Sequence, residues 1–134
     1  MIVDSSAILA IAFAEPEAAR FAEAIVRAPV RHISNVNWLE TMMVAEWRSG
    51  TSVADDVLLI LAQLGVQMLQ LDAVHMHEAQ DAWRRFGKGR HAAALNLADC
   101  CAYAAAKVEG RALLFMFGLA GGHCGLPLLF LARG

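Results

Sequence analysis

Hydrophobic and polar positions change period along this chain, and each change marks an element. Ile2-Val3 is a β-branched apolar pair running into Asp4 and two serines, the pattern of a buried strand, Met1 to Asp4, that ends at the mouth of a helix. Ser5 or Ser6 is placed to cap a short apolar helix through about Phe13. A second helix opens at Glu15-Pro16-Glu17, where proline is tolerated and acids suit the positive helix end; Phe21 and Ile25 lead its buried stripe. After Arg27-Ala28-Pro29, a strand Val30 to Ser34 leads into a helix carrying Trp38, Leu39, Glu40, Met42 and Met43, capped by Ser34 or Asn35 and stopped by Gly50. Thr51 or Ser52 caps the next helix, with Val57, Leu58, Ile60, Leu61 and Leu64 apolar and Gly65 at its end. Val66 to Leu71 alternates as a strand, and Asp72 caps a helix from Ala73 to Phe86. A loop over 87–91, an alanine-rich helix from about Leu95 to Glu109 and a strand from Ala112 to Phe117 complete the pattern. Strands alternating with helices predict a three-layer α/β/α sandwich around a mainly parallel sheet.

Composition bounds this picture. A chain of 134 residues, 58% hydrophobic and 18% charged, suits one domain with large buried faces and a surface for a subunit or partner. The formal net charge of -2 excludes a generally basic nucleic-acid coat, so any such binding must use a local patch. Cys100 and Cys101 are adjacent and Cys124 stands apart, which suggests no disulfide framework and favours a reducing cytoplasm. The first residues carry no basic segment before an apolar run, so no secretory signal is expected.

Three acids stand out by their isolation. Asp4 is the sole formal charge between Met1 and Phe13, Glu40 the sole one from His32 to Ala45, and Asp99 the sole one from His91 to Ala106. An unpaired buried carboxylate costs several kcal/mol, so three in apolar segments call for cations, and we expect them to share one. A donor set of carboxylate oxygens without histidine or cysteine selects a hard ion, magnesium or manganese, and such an ion can support in-line phosphoryl displacement. Taken singly, each acid has an ordinary reading: Asp4 as a helix cap, Glu40 as the outer edge of a helix, Asp99 as an arginine's partner.

Arg84, Arg85, Lys88 and Arg90 are four of the eleven Lys and Arg residues, with a glycine on either side of Lys88. Arg84 and Arg85 suit the negative end of a helix dipole, but phosphate contact is the preferred reading, because the glycines beside Lys88 let a backbone approach closely. Trp38, Trp47 and Trp83 suit stacking on bases, but they fall at helical positions among Leu and Met and are expected in the core, as are Cys100 and Cys101. His75 and His77 point in different directions on their helix and make no ligand pair. His123-Cys124, being adjacent, are rejected as a metal pair.

Ile2-Val3-Asp4-Ser5-Ser6-Ala7, Asn37-Trp38-Leu39-Glu40, and Arg84 to His91 followed by Ala94-Leu95-Asn96-Leu97-Ala98-Asp99-Cys100 together resemble a PIN domain of the VapC toxin type. The resemblance spans about residues 1–115. It implies a metal-dependent endoribonuclease of a type II toxin–antitoxin pair, with Asp4, Glu40 and Asp99 binding Mg2+ or Mn2+ and the hydroxyl of Ser6 ordering the site. It further implies an RNA substrate, a homodimer, and a VapB-like antitoxin whose tail lies across the active-site groove. Arg85, Lys88, Arg90 and His91 are the candidates for holding RNA.

The chain departs from that pattern at its end. The domain is expected over 1–117, with 118–134 an atypical apolar tail and not a separate domain. No carboxylate side chain follows Glu109, so the fourth acid of the family's usual quartet is missing. The alternative reading is therefore a catalytically impaired domain retained for dimerisation or antitoxin binding. The segment Ala112 to Ala132 carries no formal charge, yet its glycines and Pro127 argue against a membrane span. A shift of reading frame after about Phe115 is our expectation for the tail's origin.

Overall fold

Alternation along the shortest strand sets the layers. The computed structural model describes residues 1–116 and the backbone of 127–131. In it β1 (Ile2–Val3) sends Ile2 into one core and Val3 into another, and both are fully buried. On the Val3 side lie α1 (Ser5–Ala12), α2 (Ala18–Arg27), α3 (Asn35–Ser49) and α4 (Thr51–Gln63), packed around Ile8, Phe21, Ile25, Val57 and Leu61. On the Ile2 side lie α5 (Ala73–Phe86) and α6 (Leu97–Val108), whose contact is built from Ala79, Ala82, Cys100, Cys101 and Ala104. Small side chains let α6 come close to the sheet, and β4 (Ala112–Met116) repeats the alternation, with Leu113 and Leu114 in opposite cores.

The remaining strands are β2 (His32–Ser34), β3 (Gln67–Leu69) and β5 (Pro127–Leu131), giving a sheet of order β3-β2-β1-β4-β5. Ile2 pairs with His32 on one side and Leu113 on the other, both parallel. The chain thus winds outward from β1 through β2 and β3, then returns to the opposite side of β1 as β4. That reversal makes the carboxyl end of β1 the topological switch point, where open α/β sheets form a crevice.

Strand β5 runs antiparallel to β4, with Met116 paired to Pro127 and Ala112 to Leu131. No strand is expected there from sequence, since glycine-rich flanks and an edge position hide it. The expected boundary at 117, the rest of the apolar tail and the proposed frame shift's product fall partly on 117–126 and 132–134, outside the described residues. Among the described residues, no helix is long and apolar enough to cross a membrane.

Caps differ from expectation in two places. Asp4 caps α1 in place of Ser5 or Ser6, its side chain accepting from the Ser6 N–H, which bears out its ordinary reading as a helix cap. Gly50 stands before α4 in place of Thr51 or Ser52, at φ 83°, a turn between α3 and α4 that a side chain at this position would strain.

Candidate active site

Asp4 sits at the switch point, buried, and both of its carboxylate oxygens are engaged. Oδ2 accepts from the Ser6 backbone N–H at 3.0 Å and from Ser6 Oγ at 2.6 Å. Ser6 Oγ in turn accepts from the Met116 N–H at 2.9 Å, which ties the acid to the end of β4. Oδ1 accepts from Asn37 Nδ2 at 3.0 Å. Burial pushes the Asp4 carboxyl up to about 6 against the pull of the Ser6 hydrogen bonds, and the charges of Asp99 and Glu40 add to the rise.

Glu40 reaches the same place from α3. The Ser34 hydroxyl caps this helix by accepting from the Asn37 N–H at 3.0 Å, and one turn on, Glu40 Oε2 accepts from Ser5 Oγ. Its charge reaches α6 as well. Burial pushes the Cys101 thiol up, and Glu40 adds to it; burial lifts Cys100 to about 11, with Asp99 contributing. Both thiols are therefore neutral packing groups, in keeping with their burial.

Asp99 comes from the first turn of α6 through a reciprocal cap. Asn96 Oδ1 accepts from the Asp99 N–H at 2.9 Å, while Asp99 Oδ2 accepts from the Asn96 N–H at 2.8 Å. The structure thus brings Glu40 and Asp99 close enough to Asp4 for both of their charges to act on it. Each is turned to its own hydrogen-bond partner, and among the described residues no three His, Cys, Asp or Glu side chains gather around a common point for an ion.

Two polar side chains absent from the sequence-based site set hold this arrangement together. Asn37 is fully buried, and its Nδ2 is shared among Asp4 Oδ1, Ser5 Oγ at 3.2 Å and the Ala98 carbonyl at 3.2 Å, linking the starts of α1, α3 and α6. Ser5 is buried and stands between Asn37 and Glu40. The available signal was spacing: Asn37 precedes Glu40 by three residues, which places both on one helix face.

The basic segment joins the site through its base. Lys88 N–H donates to the Leu95 carbonyl at 3.1 Å and Leu95 N–H to the Phe86 carbonyl at 3.0 Å, so the loop closes one residue before the Asn96 cap. Phe86 also packs on Tyr103 of α6, with centroids 5.8 Å apart. Arg85 lies over the Phe86 ring at 4.8 Å and stands 3.7 Å from Asp81; His91 meets the same ring edge-on at 5.4 Å, its Nδ1 accepting from the Ala93 N–H. Lys88 and Arg90 are exposed.

The tryptophans correct the expectation of a core role. Trp38 packs partly buried on the core, but Trp47 is 86% exposed and Trp83 is 44% exposed. Leu39, Met43 and Trp47, four residues apart in turn, form an exposed apolar stripe along α3 beside Glu40. A hollow of about 320 Å³ lined by Pro29, Val30, Arg31, Gly65 and Gln67 opens at the other end of the strands from Asp4. Arg31 there is spent on the carbonyls of Val26, Ala28 and Leu64, so the hollow is a joint between helix ends and not part of the site.

Comparison with known proteins places these features in context. The model of the PIN domain matches residues 1–118. The chain is 43% identical over 115 residues to a protein named Ribonuclease VapC from Mycolicibacterium smegmatis, covering 86% of this chain and 89% of that one. It is 38% identical over 115 residues to Ribonuclease VapC30 of Mycobacterium tuberculosis, covering 86% and 88%. Ribonuclease VapC42 of the same organism is 38% identical over 116 residues, with the same coverage. The fold is similar to the crystal structure of Mycobacterium tuberculosis VapC20, described as a sarcin-ricin loop cleaving toxin, with a TM-score of 0.66, 19% identity, and 82% and 83% of the two chains covered.

Proposed function

The chain belongs to the PIN domain family, and from that premise we propose that it is an endoribonuclease, the toxin of a type II toxin–antitoxin pair, working with a divalent metal ion. The observation that carries the reading is the buried Asp4 carboxyl at the sheet's switch point, with Glu40 and Asp99 both acting on it.

The chemistry of the donors, though not their present orientation, suits a hard cation. A carboxyl held up to about 6 by burial and two neighbouring acids is relieved by a divalent charge, and the donors are all oxygen. Asp4, Glu40 and Asp99 would hold it, and magnesium suits the set, with manganese as substitute. When bound, such an ion supplies polarisation of a phosphate oxygen and a lowered pKa for water.

The chain's own groups do the positioning. Ser6 and Asn37 fix the two oxygens of Asp4, Ser5 turns Glu40 inward, and Asn96 sets Asp99. Lys88 and Arg90, with Arg85 and His91, hold the RNA backbone beside Asp99. For protein partners, the α3 stripe of Leu39, Met43 and Trp47 offers an apolar surface that a VapB-like antitoxin would cover, passing over Glu40. A second copy of the chain is the other expected partner.

The test is cleavage of single-stranded RNA by the purified chain with magnesium, with chelator, and as Asp99→Asn. We expect cleavage with magnesium alone, lowered about a hundred-fold or more by the substitution. Cleavage unchanged by both chelator and Asp99→Asn would end the reading.

A further inference from the structure

The last turn of α5 carries an aromatic ring that the fold fixes but does not cover. Trp83 is 44% exposed, yet its indole is held from two directions. The backbone at Gly87 presses on one edge: a Cβ there would lie 2.6 Å from Cδ1 and 3.0 Å from Nε1. The Arg90 guanidinium lies over the ring, 4.1 Å from its centroid. Among the described residues no carboxylate forms an ion pair with Arg90, so its N–H donors face no competing acid. Two other arginines lie over rings, Arg48 on Phe13 and Arg85 on Phe86, but each also faces an acid, Glu15 and Asp81, and those rings are half-buried; the Arg90–Trp83 pair has no acid among the described residues and leaves its ring exposed.

Position adds to the argument. Trp83 lies one turn before the loop that closes on Leu95, the residue preceding the Asn96 cap of Asp99, and Ala82 beside it packs against the α6 segment that includes Cys100 and Cys101. A planar cation on a planar ring is what single-stranded nucleic-acid sites use to hold a base, since every base has a π-face and the guanidinium serves the adjoining phosphate. Arg84 and Lys88, both exposed, supply further charge on the same segment.

We propose that Trp83 and Arg90 form a stacking platform for an unpaired RNA base adjoining the phosphate to be cut. This rests on the nuclease reading above and adds a substrate determinant to it: the RNA must present a base free to leave its stack.

The experiment measures binding of the full chain, in chelator so that nothing is cut, to two labelled single-stranded RNAs of equal length and charge. One carries all its bases and the other is abasic at its central positions. Wild type should favour the first by about ten-fold. Trp83→Ala should lose that preference while keeping its salt dependence, and Trp83→Phe should retain most of it. Arg90→Ala should lower the salt slope by about one. If Trp83→Ala does not fold, Trp83→Leu replaces it, keeping apolar bulk without the flat ring. A preference that survives loss of the ring overturns the platform, as does equal binding of both RNAs by a wild type that still cleaves with magnesium; in both cases the nuclease reading stands. Failure of wild type to bind or cleave any RNA removes both.

Discussion

Asn37 Nδ2 donates to Asp4 Oδ1 at 3.0 Å, across thirty-three residues of sequence, and both groups are buried. The same amide reaches the Ala98 carbonyl, so one side chain joins the switch-point acid to α3 and α6. Removing it takes a donor from three acceptors, Asp4 Oδ1, Ser5 Oγ and the Ala98 carbonyl. Asn37→Ala is expected to cost about 2–3 kcal/mol in urea denaturation. Asn37→Asp should cost more at pH 7, where a second carboxylate faces Asp4, with the gap narrowing as pH falls. Equal stability of Asn37→Ala and wild type would show that Asp4 needs no donor on that side.

The raised Asp4 carboxyl makes a second prediction for the metal-free protein. Its folded value of about 6 lies above the ordinary 3.8, so the folded state holds this proton more tightly than the unfolded chain does. Asp4 therefore imposes no penalty below pH 3.8 and a growing one as pH rises through about 6, of order 3 kcal/mol at most. In chelator, wild type should lose stability between pH 4 and 7 relative to Asp4→Asn, which cannot ionise. Magnesium should flatten the wild-type curve. Parallel curves for the two proteins would refute the shift.

Much of the frame is legible in sequence because each layer has its own signal. Asp72 capping Ala73–Phe86 and Ser34 capping α3 follow from residue type next to an apolar period. Isolation in apolar segments singled out Asp4, Glu40 and Asp99, and the family resemblance tied them together. Asn37 was hidden because an asparagine in a first turn reads as a local cap, while its partners lie far along the chain. Trp47 was misjudged because periodicity finds an apolar stripe without saying what covers it: α3 turns Trp38 and Met42 inward and Trp47 to solvent. Strand β5 was missed because edge pairing to β4 leaves little pattern in a segment that is apolar throughout.

Gly87 gives a prediction about the basic loop. Its φ of -66° suits any residue, so the constraint is space: a Cβ would lie 2.4 Å from the Trp83 carbonyl oxygen and 2.6 Å from Cδ1. Gly89 is the reverse case, at φ +80° with nothing within 4 Å. Gly87→Ala should loosen the Lys88–Leu95 closure by about 1–3 kcal/mol, read as faster amide exchange at Lys88 and Leu95, and reduce RNA cleavage. Gly89→Ala should cost about 1 kcal/mol and leave that closure protected. Matching exchange in the two variants would refute the steric account.

Trp47 separates partner binding from chemistry. At 86% exposed it contributes little to the fold, so Trp47→Ser should change stability by no more than about 0.5 kcal/mol and leave cleavage of free RNA intact. A buried indole at a protein interface commonly carries 2 kcal/mol or more, so binding to the antitoxin should weaken by about thirty-fold or more. Met43→Ser, one turn nearer Glu40, should act in the same direction with smaller effect, since both lie on one stripe. The measurement is titration of the chain with a VapB-like antitoxin, read as both affinity and loss of RNA cleavage. Variants that are inhibited at the wild-type antitoxin concentration would place the partner elsewhere and leave the α3 stripe for a second copy of the chain, which the variants' oligomeric state would then report.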